Sequence, residues 1–437
     1  MVAEHWAIGD RYGLAFPADP QTLRRGGPKF LTDAFRATGV LTDGNAVTGI
    51  AGFREVPEGS TGRKVMLSVE YAEAATDLPA DLFVKFSRDL DDPVRDRGRA
   101  QMEPEVRFAA LSRTAGFPIT VPRAQFGDYE RRTGSGILIT ERIMFGRNGV
   151  ERQYHKCLDY EMPEPLEHYR ALLTALARLA GAHRSGRLPA DLTAHFPLDV
   201  RAATVGERVP LSVERLDRRL TRLAELARDA PGLLPAQAAS PDFLARLRAE
   251  APRVSLHEDA VARRLAGDSD YVALCHWNAN VDNAWFWRDG DEDGEGVLHC
   301  GLLDWGCVSQ MNLGMAIWGA MSAAETDMWD SHVGDLLELF VAEVHRYGGP
   351  ALSPDRLLRH TLLYAASMGV AWLLDVPALF RKRFGDATPE SRTDPRIRDD
   401  ESVRAPLQML SNLLTLWERH PVGALLDAAL AEPTARA

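Results

Sequence analysis

The chain has 437 residues, 45% of them apolar and 26% charged, with a formal net charge of −11 at pH 7. That length exceeds what one ordinary core accommodates and predicts two or three packed units. The composition is that of a globular chain without repeats or low-complexity tracts, and its acidic balance argues against non-specific nucleic-acid binding.

Glu4, His5 and Asp10 near the N-terminus leave no apolar leader, and apolar runs such as 362–374 are short for a bilayer. The expectation is a cytoplasmic protein with no membrane partner. Four cysteines (Cys157, Cys275, Cys300, Cys307) lack paired metal-site spacing and read as buried apolar fillers. A helical segment over 28–36 ends at Thr38-Gly39, and candidate strands follow near 45–56, 63–71 and 81–87. A helical pattern over about 98–115, carrying Glu105, Phe108 and Leu111, stops at Gly116-Phe117-Pro118. Strands near 121–128 and 136–143 complete a five-stranded antiparallel sheet with one helix.

From Pro163 onward the pattern changes to long amphipathic helices, at 166–183, 212–228 and 241–266. Strand segments return near 272–275, 284–287 and 297–303, and helices are predicted over 312–324, 326–347, 354–382 and 401–418. The boundary between the two regions falls near 144–163, and the class is α+β. The stretch Arg288–Gly296, with five acidic residues, reads as an exposed hairpin tip rather than a calcium loop.

The densest chemistry lies in His276-Trp277-Asn278-Ala279-Asn280-Val281-Asp282-Asn283, followed by Leu303-Asp304-Trp305-Gly306. These segments resemble the catalytic half of the aminoglycoside phosphotransferase and choline kinase-like (ecdysteroid kinase-like) superfamily, whose H-x-D-x-x-x-x-N loop precedes a second acidic step. The resemblance covers about 30–325 and is strongest over 271–306. It implies a bilobal protein kinase-like fold with a small antiparallel-sheet N-lobe and a large helical C-lobe. Residues 1–145 would be the nucleotide-binding lobe with its opening helical segment. Residues 146–437 would carry the catalytic loop and acceptor pocket. The implied chemistry is transfer from ATP or GTP, with Mg²⁺, to a hydroxyl-bearing small molecule.

Residue by residue, Lys85 in Asp81-Leu82-Phe83-Val84-Lys85-Phe86 resembles the strand lysine that contacts phosphates. A charge on an apolar strand needs a partner, and Glu105 is placed like the helix glutamate that supplies it. Gly49 and Gly52 are singled out by position as a phosphate-covering loop, an ordinary turn or bulge being the equal alternative. Asn283 and Asp304 stand where the family holds magnesium, with the hard oxygen donors that ion takes. His276 resembles the histidine that braces the loop. Asn312 falls where the family has a Gly-Asp-Pro step, and Asp282 reads as a surface or supporting residue.

The departure is Asn278, which occupies the position of the family's catalytic base. An amide cannot accept a proton at neutral pH, and losing a general base costs roughly 10²–10⁴ in rate. Three readings stay open: Asn278 positions a hydroxyl for slower transfer, the acceptor is already ionised, for example a carboxylate, or the chain is a nucleotide-binding pseudokinase. Trp277, Trp285, Trp287, Trp305 and Trp318 crowd the motif region and read as core rather than as the wall of a pocket.

Overall fold

A computed structural model describes residues 5–56, 62–88, 102–198, 211–289, 296–385 and 387–432. The chain divides into two compact units. One spans Met1–Val150, Gly186–Pro197 and Gly301–Val308, and the other spans Glu151–Ser185, Leu198–Cys300 and Ser309–Ala437.

The first unit opens with a hairpin, β1 (Trp6–Ile8) and β2 (Ala15–Pro17), and then α1 (Pro20–Ala37). Asp19 caps α1 by accepting from the Thr22 N–H at 2.9 Å. The sequence pattern begins this helix at Pro28, whereas the structure starts it at Pro20. Gly27, at φ +54°, breaks the regular turn, and Pro28 then starts a second helical piece where its missing N–H costs nothing.

Five antiparallel strands follow: β3 (Val47–Val56), β4 (Lys64–Tyr71), β5 (Asp81–Phe86), β6 (Ala124–Glu130) and β7 (Ser135–Glu141). Their order is β3-β4-β5-β7-β6. Alternation sorts the two faces. Val65, Leu67 and Val69 of β4 and Leu82, Val84 and Phe86 of β5 pack with Leu31 and Phe35 of α1. On the opposite face, α2 (Met102–Leu111) lays Met102, Val106 and Ala109 against Tyr129 and Leu138. Lys85 lies directly across from Leu138, so it emerges on the α2 face.

The second unit is mainly helical. Its long helices are α3 (Pro165–Arg184), α4 (Val213–Asp229), α5 (Pro241–Leu256) and α6 (Glu258–Gly267). The strands β8 (Val272–His276) and β9 (Ala284–Arg288) follow, then β10 (Leu298–Leu302) and β11 (Val308–Asn312). Helices α7 (Leu313–Met321), α8 (Thr326–Arg346), α9 (Pro354–Ala371), α10 (Val376–Phe384), α11 (Glu401–Arg419) and α12 (Val422–Ala431) complete it. β8 pairs with β11, and β9 with β10. The predicted helix 241–266 is two helices parted at His257, which caps neither with its side chain.

The stretch Pro354–Phe384 is long and apolar enough to cross a bilayer, contrary to the sequence expectation that no run reaches that length. Its apolarity is spent inside the unit instead: 72% of its most apolar window is buried, and Gly369 receives Leu413 of α11 so closely that a Cβ would lie 2.3 Å from a leucine methyl. Cys157, Cys275 and Cys300 are buried and Cys307 is partly exposed, none in a disulfide. The predicted acidic hairpin tip lies, for residues 290–295, outside the described residues. An antiparallel sheet backed by a helix in one unit, with a helical second unit, is the α+β arrangement expected of the bilobal protein kinase-like fold.

Candidate functional site

In the first unit the Lys85 ammonium lies 2.6 Å from Glu105 Oε1 and 2.6 Å from Asp304 Oδ1. Strand alternation aims Lys85 at α2, and Glu105 meets it from the first turns of that helix. Burial alone would lower the Lys85 pKa, but the two carboxylates outweigh it and raise it, so the lysine is a permanent cation. For Glu105, burial pushes the carboxyl up while Lys85 pulls it back. One ammonium thus lies between two carboxyl groups, and the net effect on Glu105 is upward, Asp304 adding to burial.

Asp304 adopts a left-handed backbone at φ +64°, a conformation a non-glycine residue keeps only where its surroundings enforce it. The enforcing contacts come from the next residue. Trp305 stacks on Phe108 of α2 with ring centroids 3.7 Å apart, its Nε1 donates to the Leu302 carbonyl, and its backbone N–H bonds to Glu105. Leu302 in turn donates to the Thr120 carbonyl at 3.0 Å. The segment 301–308 is therefore clamped to the helix that supplies Glu105.

Gly49 and Gly52 lie inside β3 rather than in a connecting loop, which corrects the sequence reading. Each follows a register shift in the pairing with β4. A Cβ on Gly49 would sit 2.7 Å from the carboxylate end of the exposed Glu70 side chain, which can swing aside.

In the second unit, the loop after β8 is built around the backbone of residue 278. His276 is fully buried, and its Nδ1 accepts from the Asn278 N–H at 3.0 Å, which puts the ring proton on Nε2. Asn283 Nδ2 donates to the Asn278 carbonyl at 2.8 Å. Because a carbonyl only accepts, this bond fixes the Asn283 amide and turns its Oδ1 the other way, as a cation ligand requires. The helix beneath makes room: a Cβ on Gly319 of α7 would lie 1.6 Å from the Trp277 carbonyl oxygen. Trp277 Nε1 donates to the Tyr364 hydroxyl at 2.7 Å, so this tryptophan is core, as its composition suggests.

Asn312 caps α7, accepting from Gly314 N–H at 2.9 Å and donating to the Leu265 carbonyl at 2.9 Å. It thus holds structure, not ligand. Asp282 is not a surface residue: its Oδ2 faces Lys156 at 3.5 Å, and its Oδ1 is buried without a partner. Burial raises its pKa, Lys156 lowers it and Glu401 raises it again, for a net upward shift.

Lys156 itself escaped the sequence reading. Its Nζ lies 3.4 Å from Asn278 Oδ1, and its side chain is largely buried. Burial lowers its pKa, but Asp282 and Glu401 reverse that and raise it. A signal was present: only five of the 51 basic residues are lysines (Lys29, Lys64, Lys85, Lys156 and Lys382). A lysine presents a compact ammonium where an arginine presents a planar fork. Two of those five are the cations of the two clusters described here.

Among the described residues, no group of three or more His, Cys, Asp or Glu gathers to hold a metal by itself. Asn283 Oδ1 in the second unit and the Asp304 carboxylate in the first are each a hard oxygen donor.

No protein-family model matches the chain, and no curated protein matches it. Solved structures do. A choline/ethanolamine kinase family protein from Mesorhizobium loti is 15% identical, covering 88% of this chain and 94% of its own, with a TM-score of 0.41. A microcompartment-associated aminopropanol kinase is 15% identical over 92% of this chain and 98% of its own, with a TM-score of 0.40. Choline kinase from Cryptosporidium parvum Iowa II is 12% identical over 86% and 93%, with a TM-score of 0.42. What the chain resembles in these structures is their fold.

Proposed function

We propose that this chain is a phosphotransferase of the aminoglycoside phosphotransferase and choline kinase-like type, using ATP or GTP with Mg²⁺ to phosphorylate a small molecule in the cytoplasm. The observation that carries this reading is the Lys85 ammonium held 2.6 Å from both Glu105 and Asp304. Phosphoryl transfer asks a protein mainly to position the γ-phosphoryl group and to offset charge. Lys85, fixed by Glu105, would contact the α- and β-phosphates. Asn283 and Asp304 would hold Mg²⁺, which when bound neutralises phosphate charge. Gly49 and Gly52 would leave the β3 backbone open towards the nucleotide, and His276 would brace the loop that presents Asn278. Residues 1–145 would serve the nucleotide and 146–437 the acceptor.

Calorimetric titration with ATP, with and without Mg²⁺, tests this reading. Mg²⁺-dependent binding that disappears in Asp304→Ala is the expected result, and equal binding by the variant sinks it. A second reading, a nucleotide-binding pseudokinase, is favoured by one observation: Asn278 offers no proton acceptor. Nucleotide-dependent thermal stabilisation without ADP formation on any acceptor would select it.

A further inference from the structure

The amide of Asn278 has a fixed orientation, and that orientation says what it presents to an acceptor. Its Oδ1 receives two donors, Asn280 Nδ2 at 2.8 Å and Lys156 Nζ at 3.4 Å. An ammonium has only donors, so the atom facing Lys156 must be the amide oxygen. The same logic fixes Asn280, whose Oδ1 is then the atom left buried without a partner. The backbone N–H and carbonyl of Asn278 are engaged by His276 and Asn283. Among the described residues, the polar atom of Asn278 left without a protein partner is Nδ2, a donor, on a half-buried side chain.

Two nearby carboxylates, Asp282 and Asp159, do not replace the missing base. Asp282 turns Oδ2 to Lys156 and encloses Oδ1 away from solvent. Asp159 is wholly buried, takes the Tyr169 hydroxyl at 2.7 Å on Oδ2, and has its other oxygen enclosed. Among the described residues, the loop therefore offers an N–H donor beside a lysine, and neither Asp282 nor Asp159 is an open proton acceptor. A hydroxyl nucleophile must lose a proton there, and neither of these two carboxylates is open to take it. An oxygen that is already ionised needs only the donor.

Resting on the phosphotransferase reading above, we infer that the acceptor is an oxyanion, a carboxylate or a phosphate monoester, received by Asn278 Nδ2 with Lys156 holding the amide. In the transfer, an acceptor oxygen lone pair forms the new O–Pγ bond as the bond from Pγ to the β,γ-bridging oxygen breaks. The departing ADP takes that electron pair. A carboxylate yields an acyl phosphate and a phosphate yields a phosphoanhydride, in neither case releasing a proton. An alcohol would yield a phosphate ester and about one proton per ADP.

The full-length protein with Mg·ATP is assayed for ADP on matched pairs: benzoate and benzyl alcohol, hexanoate and hexanol, succinate and butanediol, with phenyl phosphate added. Proton release is followed in weak buffer, hydroxylamine traps acyl phosphates, and phosphorus NMR detects new phosphoanhydrides. The expected result is ADP formation with acids at least about 10² faster than with their alcohols, without proton release. Hydroxamate identifies a carboxylate acceptor, and a new phosphoanhydride signal identifies a phosphate. Asn278→Asp should reverse the preference by placing a carboxylate against the acceptor, and Lys156→Met should erase it. Alcohol phosphorylation with one proton per ADP overturns the inference while leaving the phosphotransferase reading intact. Mg·ATP binding without ADP from any acceptor overturns both. The wild-type proton yield decides the matter even where a variant fails to fold.

Discussion

Phe108 of α2 stacks on Trp305 with ring planes 16° from parallel, one residue beyond Asp304. Aromatic stacking at this distance is worth more than its buried area alone. Here it also ties a left-handed aspartate to the helix that carries the lysine's partner. Phe108→Ala should cost about 3–5 kcal/mol of stability, measured by urea unfolding. It should also weaken Mg·ATP binding more than an equally destabilising change in the α1 face of the sheet, such as Leu67→Ala. Equal binding losses in the two variants would show that the stack does not position Asp304.

Lys85→Met leaves the buried Glu105 and the half-buried Asp304 without their cation. Breaking a buried ion pair in this way costs about 3–5 kcal/mol near neutral pH. The sign with pH follows from the carboxylates. Without Lys85 their folded pKa values rise above those of the unfolded chain, so the fold favours their protonated forms. Relative to wild type, the variant should recover stability as pH is lowered from about 8 towards 5. Thermal melts across that range read the trend, and a constant gap would contradict it.

Asp159 offers a cleaner titration. Burial pushes its pKa up to about 7, against the hydrogen bond from Tyr169. The folded pKa lies above the unfolded one, so folding retains a proton that the unfolded chain loses. The resulting penalty accumulates as pH rises from about 4 to about 7 and is constant above that. Asp159→Asn keeps an acceptor for Tyr169 and removes the titration. Its stability relative to wild type should therefore grow by about 1.4 kcal/mol per pH unit across that window. A pH-independent difference would place the Asp159 pKa in the ordinary range.

Two helical glycines should respond oppositely to alanine. Gly319→Ala puts a methyl 1.6 Å from the Trp277 carbonyl and must displace either α7 or the loop carrying Asn278. A loss of several kcal/mol, about that of an overpacked core, is expected together with loss of any transfer activity. Gly334→Ala, inside α8 with nothing within 4 Å of the new methyl, should stabilise by about 0.5–1 kcal/mol. Differential scanning calorimetry of the pair tests both.

How much of this was legible in the sequence varied with the kind of information each feature needed. β4 and β5 alternate apolar and polar residues or run continuously apolar, and the long helices repeat at helical spacing, so periodicity finds them. β11 escaped because Ser309, Gln310 and Asn312 give it neither pattern; it is a strand because β8 beside it is wholly buried and needs a partner. That Lys85 needs a partner could be expected from a charge on an apolar strand, while Glu105 as that partner comes from the family resemblance. The displacement of Gly49 and Gly52 from loop to strand could not, since a glycine at a bulge and one in a turn look alike in sequence. Lys156 lies 122 residues before Asn278 in an irregular segment without periodicity, so only the folded chain brings the two together.

The cysteines carry a practical consequence. Burial pushes the Cys275 thiol up to about 12 and raises Cys300 and Cys157 as well, and a protonated, enclosed thiol is a poor nucleophile. Cys307 alone of the four is partly exposed, three residues beyond Asp304. A maleimide fluorophore added to the untreated wild-type protein will accordingly attach there in preference, giving a reporter dye beside the Asp304 segment without engineering a single residue.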